Sequence, residues 1–211
     1  MRKSSTVIVL FGSVLAVLSL TSCGHKPTAK TEVNAAQSPI SQTPKPVASI
    51  HDIMTTIVDP NADEIWDAVG TTETKAGEVV KVPKNDGEWE ELHKKALQLV
   101  EAANLLAVPG RNLVNPGQTT SGSEIKGVLG PAAIGIGVSR DFPTFVSKAA
   151  AFQIAAIKEL HAIEKKDPDE LVTVGGQVER GCEGCHVAFW YPPKAKQDEL
   201  NASVSAANKG S

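Results

Sequence analysis

Cys182-Glu183-Gly184-Cys185-His186 is the run of this sequence whose residue types and spacing most narrowly specify a chemistry. Two thiols separated by two residues can each add to one vinyl group of a haem, because the vinyl groups sit on adjacent pyrroles. A histidine directly after the second thiol reaches the iron from the same face. The spacing points to one covalently bound haem c, attached through Cys182 and Cys185, with His186 as an iron ligand.

Other uses of paired cysteines need features that are missing. A zinc site wants a second ligand pair at matching spacing, whereas His25, His51, His93 and His161 are scattered and the only other cysteine is Cys23. A thioredoxin-like dithiol opens a helix within alternating strands and helices, whereas this pair closes a helical region. A disulfide between residues three apart is rarer still. No acid, base or distal arginine constellation accompanies the motif, so it reads as an electron carrier's and not an enzyme's. Arg111 is a candidate partner for haem propionates, and Phe189, Trp190 and Tyr191 either shield a haem edge or close the core.

The second axial position has one leading candidate. Met54 is the only methionine besides the initiator, and it falls in the first helical segment, which lies next to the last helix in an antiparallel bundle. A core-filling role is the common fate of methionine. His51, three residues earlier on roughly the same face, is the competing ligand, and an empty position is the third possibility. His93 and His161 sit among charged neighbours, Glu159 among them, and read as helix-surface residues.

The elements that must position these groups begin near residue 50. Ile50 to Ile57 forms one segment, and Asp59-Pro60 reads as a cap followed by proline in the first turn, restarting the helix through Trp66 to Gly70 with a kink between. From Asp86 to Leu106, apolar residues recur every three or four positions until Pro109-Gly110. The same spacing runs from Asp141 to Lys165-Lys166, with cations at the C-terminus. Asp167-Pro168 opens the last segment, which passes a weak point at Gly175-Gly176 to reach the haem motif. No stretch alternates as a strand would. The expected fold is all-α, an antiparallel four-helix bundle over residues 49–196 with a C-terminal haem-attachment motif, and a flexible tail over 197–211.

Residues 109–140 are long for a connection within a compact domain. The expectation is either a mobile loop or, through the apolar stretch Val128 to Ile134, a cover over an apolar surface. Gly135-Ile136-Gly137 lacks the strand and the full glycine fingerprint of a phosphate loop.

Ahead of the domain stands an address. Arg2-Lys3 precedes an apolar run from Val7 to Leu20, shorter than the roughly 20 residues that cross a bilayer but suited to a signal-peptide core. It ends in Leu20-Thr21-Ser22-Cys23-Gly24, which resembles a bacterial lipobox. That resemblance implies a signal peptide over 1–22 and lipidation at Cys23, anchoring the protein to a membrane of the bacterial envelope and facing the periplasm. Residues 23–48 are rich in Pro, Thr, Ala and Gln and read as a disordered tether. With 211 residues, a formal charge of −3 and no basic cluster, nucleic-acid binding is set aside.

From residues 49 to 193 the chain resembles the class II cytochromes c, the group of the cytochromes c prime and their low-spin relatives. The resemblance lies in Ile53-Met54, Val58-Asp59-Pro60, Asp63 to Val69 with Trp66, Ala102 to Leu106 followed by Pro109-Gly110-Arg111, and Cys182 to His186. It implies covalent haem with His186 as proximal ligand and, in the low-spin branch, methionine as distal ligand. The function implied is single-electron transfer with redox partner proteins, with a homodimer among the allowed assemblies. The alternative is a five-coordinate haem protein that binds or senses NO or CO. The glycine-rich link, the lipobox and the tether depart from the family pattern.

Overall fold

A computed structural model describes residues 45–210; the expected signal peptide, Cys23 and most of the tether lie outside them. The described chain is mostly helical, in the order α1 (Ile50–Ile53), a π-helical turn (Met54–Val58), α2 (Asp59–Trp66), β1 (Gly70–Thr74), β2 (Gly77–Lys81), α3 (Asp86–Leu106), α4 (Pro131–Arg140), α5 (Phe142–Glu164), α6 (Pro168–Phe189) and α7 (Lys194–Lys209).

The first helical region runs on through Asp59-Pro60 without a loop, by way of a π-helical turn. Val58 and Asp59 both keep right-handed helical angles, and the Asp59 amide donates to the Met54 carbonyl five residues back. Pro60 has no N–H to give to the regular ladder, and widening one turn absorbs that loss without ending the helix. Asn61, buried, donates from Nδ2 to the Ile57 carbonyl at 2.6 Å and to Gln98 Oε1 at 2.8 Å, which ties the widened turn to α3. Upstream, Ser49 and Asp52 form a reciprocal capping box, Asp52 N to Ser49 Oγ at 3.0 Å and Ser49 N to Asp52 Oδ2 at 2.8 Å.

The three long helices follow their apolar spacing. Asn85, Asp141 and Asp167 each cap one of them through the side chain. Trp89, Leu92, Ala96, Leu99 and Leu106 of α3, Phe145, Phe152 and Ile163 of α5, and Leu171, Val174 and Val178 of α6 share one core with Ile53, Val58 and Ile65. α2 packs on α3, α3 on α5, and α5 on α6. The glycines of α6 have uses: a β-carbon at Gly175 would stand 3.1 Å from Trp66 Cδ1, and one at Gly181 would stand 3.0 Å from the Phe152 Cα. The expected weak point is where Trp66 seats.

Three elements correct the sequence reading. Residues 70–81 form an antiparallel hairpin, Gly70 pairing with Lys81 and Thr74 with Gly77, exposed almost throughout. With neither face buried, its strands carry no apolar alternation. Residues 131–140, placed in a connection, are α4, opened by Gly130 and Pro131, and its Ala133, Ile134 and Val138 join the core. The expected flexible tail is largely α7, docked on α4 through Leu200, which is 1 % exposed; the packed domain therefore continues past residue 196. Leu200 is the sole fully buried anchor of an otherwise polar, alanine-rich helix, too faint a pattern to read from sequence. Among the described residues no helix is long and apolar enough to cross a membrane.

Candidate functional site

Val178, Cys182, Cys185 and Phe189 are spaced four, three and four positions apart along α6, and His186 directly follows Cys185, so they border one face that begins with buried Val178. That face borders a cavity of about 220 Å³. Met54 borders it from the first π-helical position, as do His51 and Val58 of the same helical region. The structure thus brings Cys182, Cys185, His186 and Met54 to one cavity, together with the competing His51.

The other walls are mostly apolar, with Leu106 of α3, Ile134 and Val138 of α4, and Phe145 and Phe152 of α5, while Asp59 and Lys148 are the charged residues among them. Phe145 and Phe189 meet edge-on at 5.6 Å. The Trp190 ring stands perpendicular to His186 at 4.8 Å, fixing the side of the imidazole. Tyr191 lies outside the lining, its hydroxyl donating to Glu183.

The connection between α3 and α4 supplies a wall through Leu113, Thr120 and Ser121. It is held at both ends. Ile50 N and His51 N, free amides of the first turn of α1, donate to the carbonyls of Asn112 and Leu113 at 2.8 and 2.9 Å. Asn115 Nδ2 donates to Asp52 Oδ2 at 2.6 Å. Leu129 N donates to Trp190 O at 2.9 Å, and Gln197 Nε2 donates to Gly127 O at 2.9 Å. Arg111 is not a cavity residue: its guanidinium donates to the carbonyls of Leu105 and Ala48, clasping the end of α3 to the start of the domain. His161 is exposed, and His93, half-exposed, pairs with Glu164 at 3.7 Å.

Burial controls the charge states here. It pushes the Cys182 thiol up to about 12 and the Cys185 thiol up to about 11, so both are protonated at neutral pH. A dithiol exchange centre needs the opposite shift, towards thiolate. Burial also holds the His186 pKa below its ordinary value, against the pull of Glu183, which leaves a neutral imidazole of the kind that binds metal. Among the described residues no group of three or more His, Cys, Asp or Glu side chains is placed to hold a bare metal ion.

The donor set fits a haem. His51, Thr120 and Trp190 line this mostly apolar cavity, and their Nδ1, Oγ1 and Nε1 atoms are buried without a hydrogen-bond partner. A cofactor that is apolar over most of its area and carries carboxylates at one edge would satisfy such donors. Cys182 and Cys185 would attach it, and His186 with Met54 or His51 would ligate its iron. Thr120, Ser121, Lys148 and Gly181 are site residues that the sequence reading did not name. Only Gly181, directly before the motif, carried a signal; Thr120 and Ser121 lie in the glycine-rich connection with none. No known protein family, characterised protein or solved structure matches this chain.

Proposed function

We propose that this chain is a monohaem c-type cytochrome that carries single electrons between redox partner proteins. The observation that supports this reading best is the convergence of Cys182, Cys185, His186 and Met54 on one apolar cavity. The finer fold reading is an antiparallel four-helix bundle made by the α1–α2 region, α3, α5 and α6, with α4, α7 and the hairpin added to it. The successive packing of α2 on α3, α3 on α5 and α5 on α6 supports it.

Haem, when bound, supplies an iron that cycles between ferric and ferrous states. The chain's part is attachment, ligation and exclusion of water. Cys182 and Cys185 would form the two thioether bonds, and His186 would ligate the iron. Trp190 would hold the His186 ring in orientation, as supporting groups around a ligand do. Met54 sulfur would supply the second protein ligand; a filled ligand set changes little with oxidation state, which favours electron transfer over gas binding. The apolar walls keep water away and help raise the potential. His51 favours a second ligation, bis-histidine, because it borders the same cavity and its Nδ1 lacks a partner.

Export, lipidation at Cys23 and residence at a membrane of the bacterial envelope, facing the periplasm, complete the proposal. The lipobox-like sequence at Cys23 supports them, and two or more acyl chains anchor stably where one is marginal.

The ferric absorption spectrum tests the ligation. A low-spin spectrum with a weak far-red methionine-to-iron band, lost in Met54→Ala, is the expected result. A low-spin spectrum without that band and unchanged in Met54→Ala assigns the position to His51. A high-spin ferric spectrum of the unmutated protein overturns the electron-transfer reading in favour of a five-coordinate, gas-binding haem.

A further inference from the structure

Glu159 stands on the buried face of α5, seven residues after Phe152, and is 0 % exposed. Neither carboxyl oxygen has a hydrogen-bond partner. An unpartnered carboxyl in a core is costly when neutral and far more so when ionised, so its presence needs a physical reason.

Its surroundings supply one. A β-carbon at Gly175 of α6 would stand 3.9 Å from Glu159 Oε1 and 3.2 Å from Trp66 Nε1, a second buried donor without a partner. Trp66 and Gly175 also line a groove between α2 and α6, whose other members include Ile65, Val69, Leu171 and Glu179. Glu159 itself stands behind this groove, and Trp66 Nε1 and the Glu159 carboxyl, both buried and unpartnered, approach the same point of α6 at Gly175.

Few charges face Glu159. The titratable group of α6 that senses it is Cys182, and Asp59 at the start of α2 acts on the same thiol. On α3, Lys94 and Lys95 engage Glu91 and Glu64 at 2.7 and 2.6 Å. Burial alone raises the Glu159 pKa, to about 7. The carboxyl is poised between its two forms and is open to a change in charge at the haem motif.

We propose that Glu159 is a proton-binding site coupled to the electron carried at the Cys182–His186 end of the domain, so that reduction shifts its equilibrium towards the protonated form. The inference rests on the haem reading above. When a one-electron donor protein reduces ferric to ferrous haem, a fraction of the Glu159 carboxylates, about half at most for the coupling given below, takes a proton from bulk water and becomes the acid. Oxidation by the acceptor protein returns both. Seven helical residues place Glu159 about 10 Å along α5 from the Phe152–Gly181 crossing that precedes Cys182. Over roughly 10–15 Å at an effective dielectric of about 20, the added negative charge raises proton affinity about 6- to 16-fold.

The test is the midpoint potential of the haem-loaded full chain between pH 5 and 9. The unmutated protein is expected to show a fall centred near pH 7 and totalling about 45–70 mV, which is that fold-change at about 59 mV per decade. Glu159→Gln, which keeps the side chain's size, is expected to be flat in the same range. The infrared spectrum of the unmutated protein, reduced minus oxidised at pH 7, should gain a protonated-carboxyl stretch, so the inference stays testable if the variant does not fold. A flat potential in the unmutated protein, an equal fall in Glu159→Gln, or no carboxyl band overturns it. A haem-loaded chain with a pH-independent potential defeats this inference alone. A chain that acquires no covalent haem defeats the earlier reading and this one with it.

Discussion

The Cα of Phe152 on α5 lies 3.0 Å from where a β-carbon on Gly181 of α6 would stand. The two helices therefore touch backbone to side-chain root directly before the first cysteine of the motif. Gly181→Ala should force them apart and destabilise the fold by about 1–3 kcal/mol, more than the roughly 1 kcal/mol alanine gains as a better helix former. The denaturant midpoint checks this; an unchanged or raised midpoint would mean that the contact relaxes freely.

Neighbouring glycines should behave oppositely. A β-carbon at Gly175 would stand 3.1 Å from the Trp66 ring, whereas one at Gly176 meets nothing nearer than the Arg180 guanidinium at 3.6 Å. Gly175→Ala should destabilise by about 1–2 kcal/mol through overpacking. Gly176→Ala should stabilise by up to about 1 kcal/mol through backbone entropy. Thermal unfolding of the pair decides, and equal effects would contradict the seat assigned to Trp66.

Asp52 links α1 to the cavity wall. Its hydrogen bonds, chiefly those from Ser49 and then those from Asn115 and Gln118, hold its carboxyl down at about 2. A carboxyl whose pKa is lowered by folding adds stability above its unfolded value, near 4, and loses it as pH falls towards 2. The melting temperature should therefore drop through that window. Asp52→Asn should melt lower than the unmutated protein at pH 6, and the gap should close by pH 2. A gap independent of pH would assign the effect to shape instead of charge.

Leu200 anchors α7 on α4, close enough that a β-carbon on Gly137 would stand 3.3 Å from its Cδ1. Leu200→Ala should cost about 2–4 kcal/mol of local docking energy. It should appear first as faster hydrogen exchange over residues 194–209. Unaltered exchange there would show that α7 is held by something else.

Those cases mark what was legible in the sequence. α3, α5 and α6 each bury one apolar stripe and start at a polar cap, so periodicity and capping found them together with the positions of Cys182, Cys185 and His186. The π-helical turn at Met54 was legible only as a disturbance at Pro60, because the missing proline N–H shows in the sequence and the widened turn that absorbs it does not. The hairpin buries neither face, α4 is short and glycine-containing, and α7 has one deep anchor; each lacks the repeated burial that makes a pattern visible. Glu159 shows the reverse failure. It lies in register with Phe152 and Ala156 on the core face, but its charge suggested a surface position.

The central claim is that Cys182 and Cys185 carry a haem, and the intact mass of the protein after acid-acetone extraction tests it most directly. The unmutated chain, produced in a bacterium able to mature c-type cytochromes, should retain the added mass of one haem, and the double variant Cys182→Ser, Cys185→Ser should lack it. An unmutated chain at its bare polypeptide mass, or carrying haem that the extraction removes, would contradict the account.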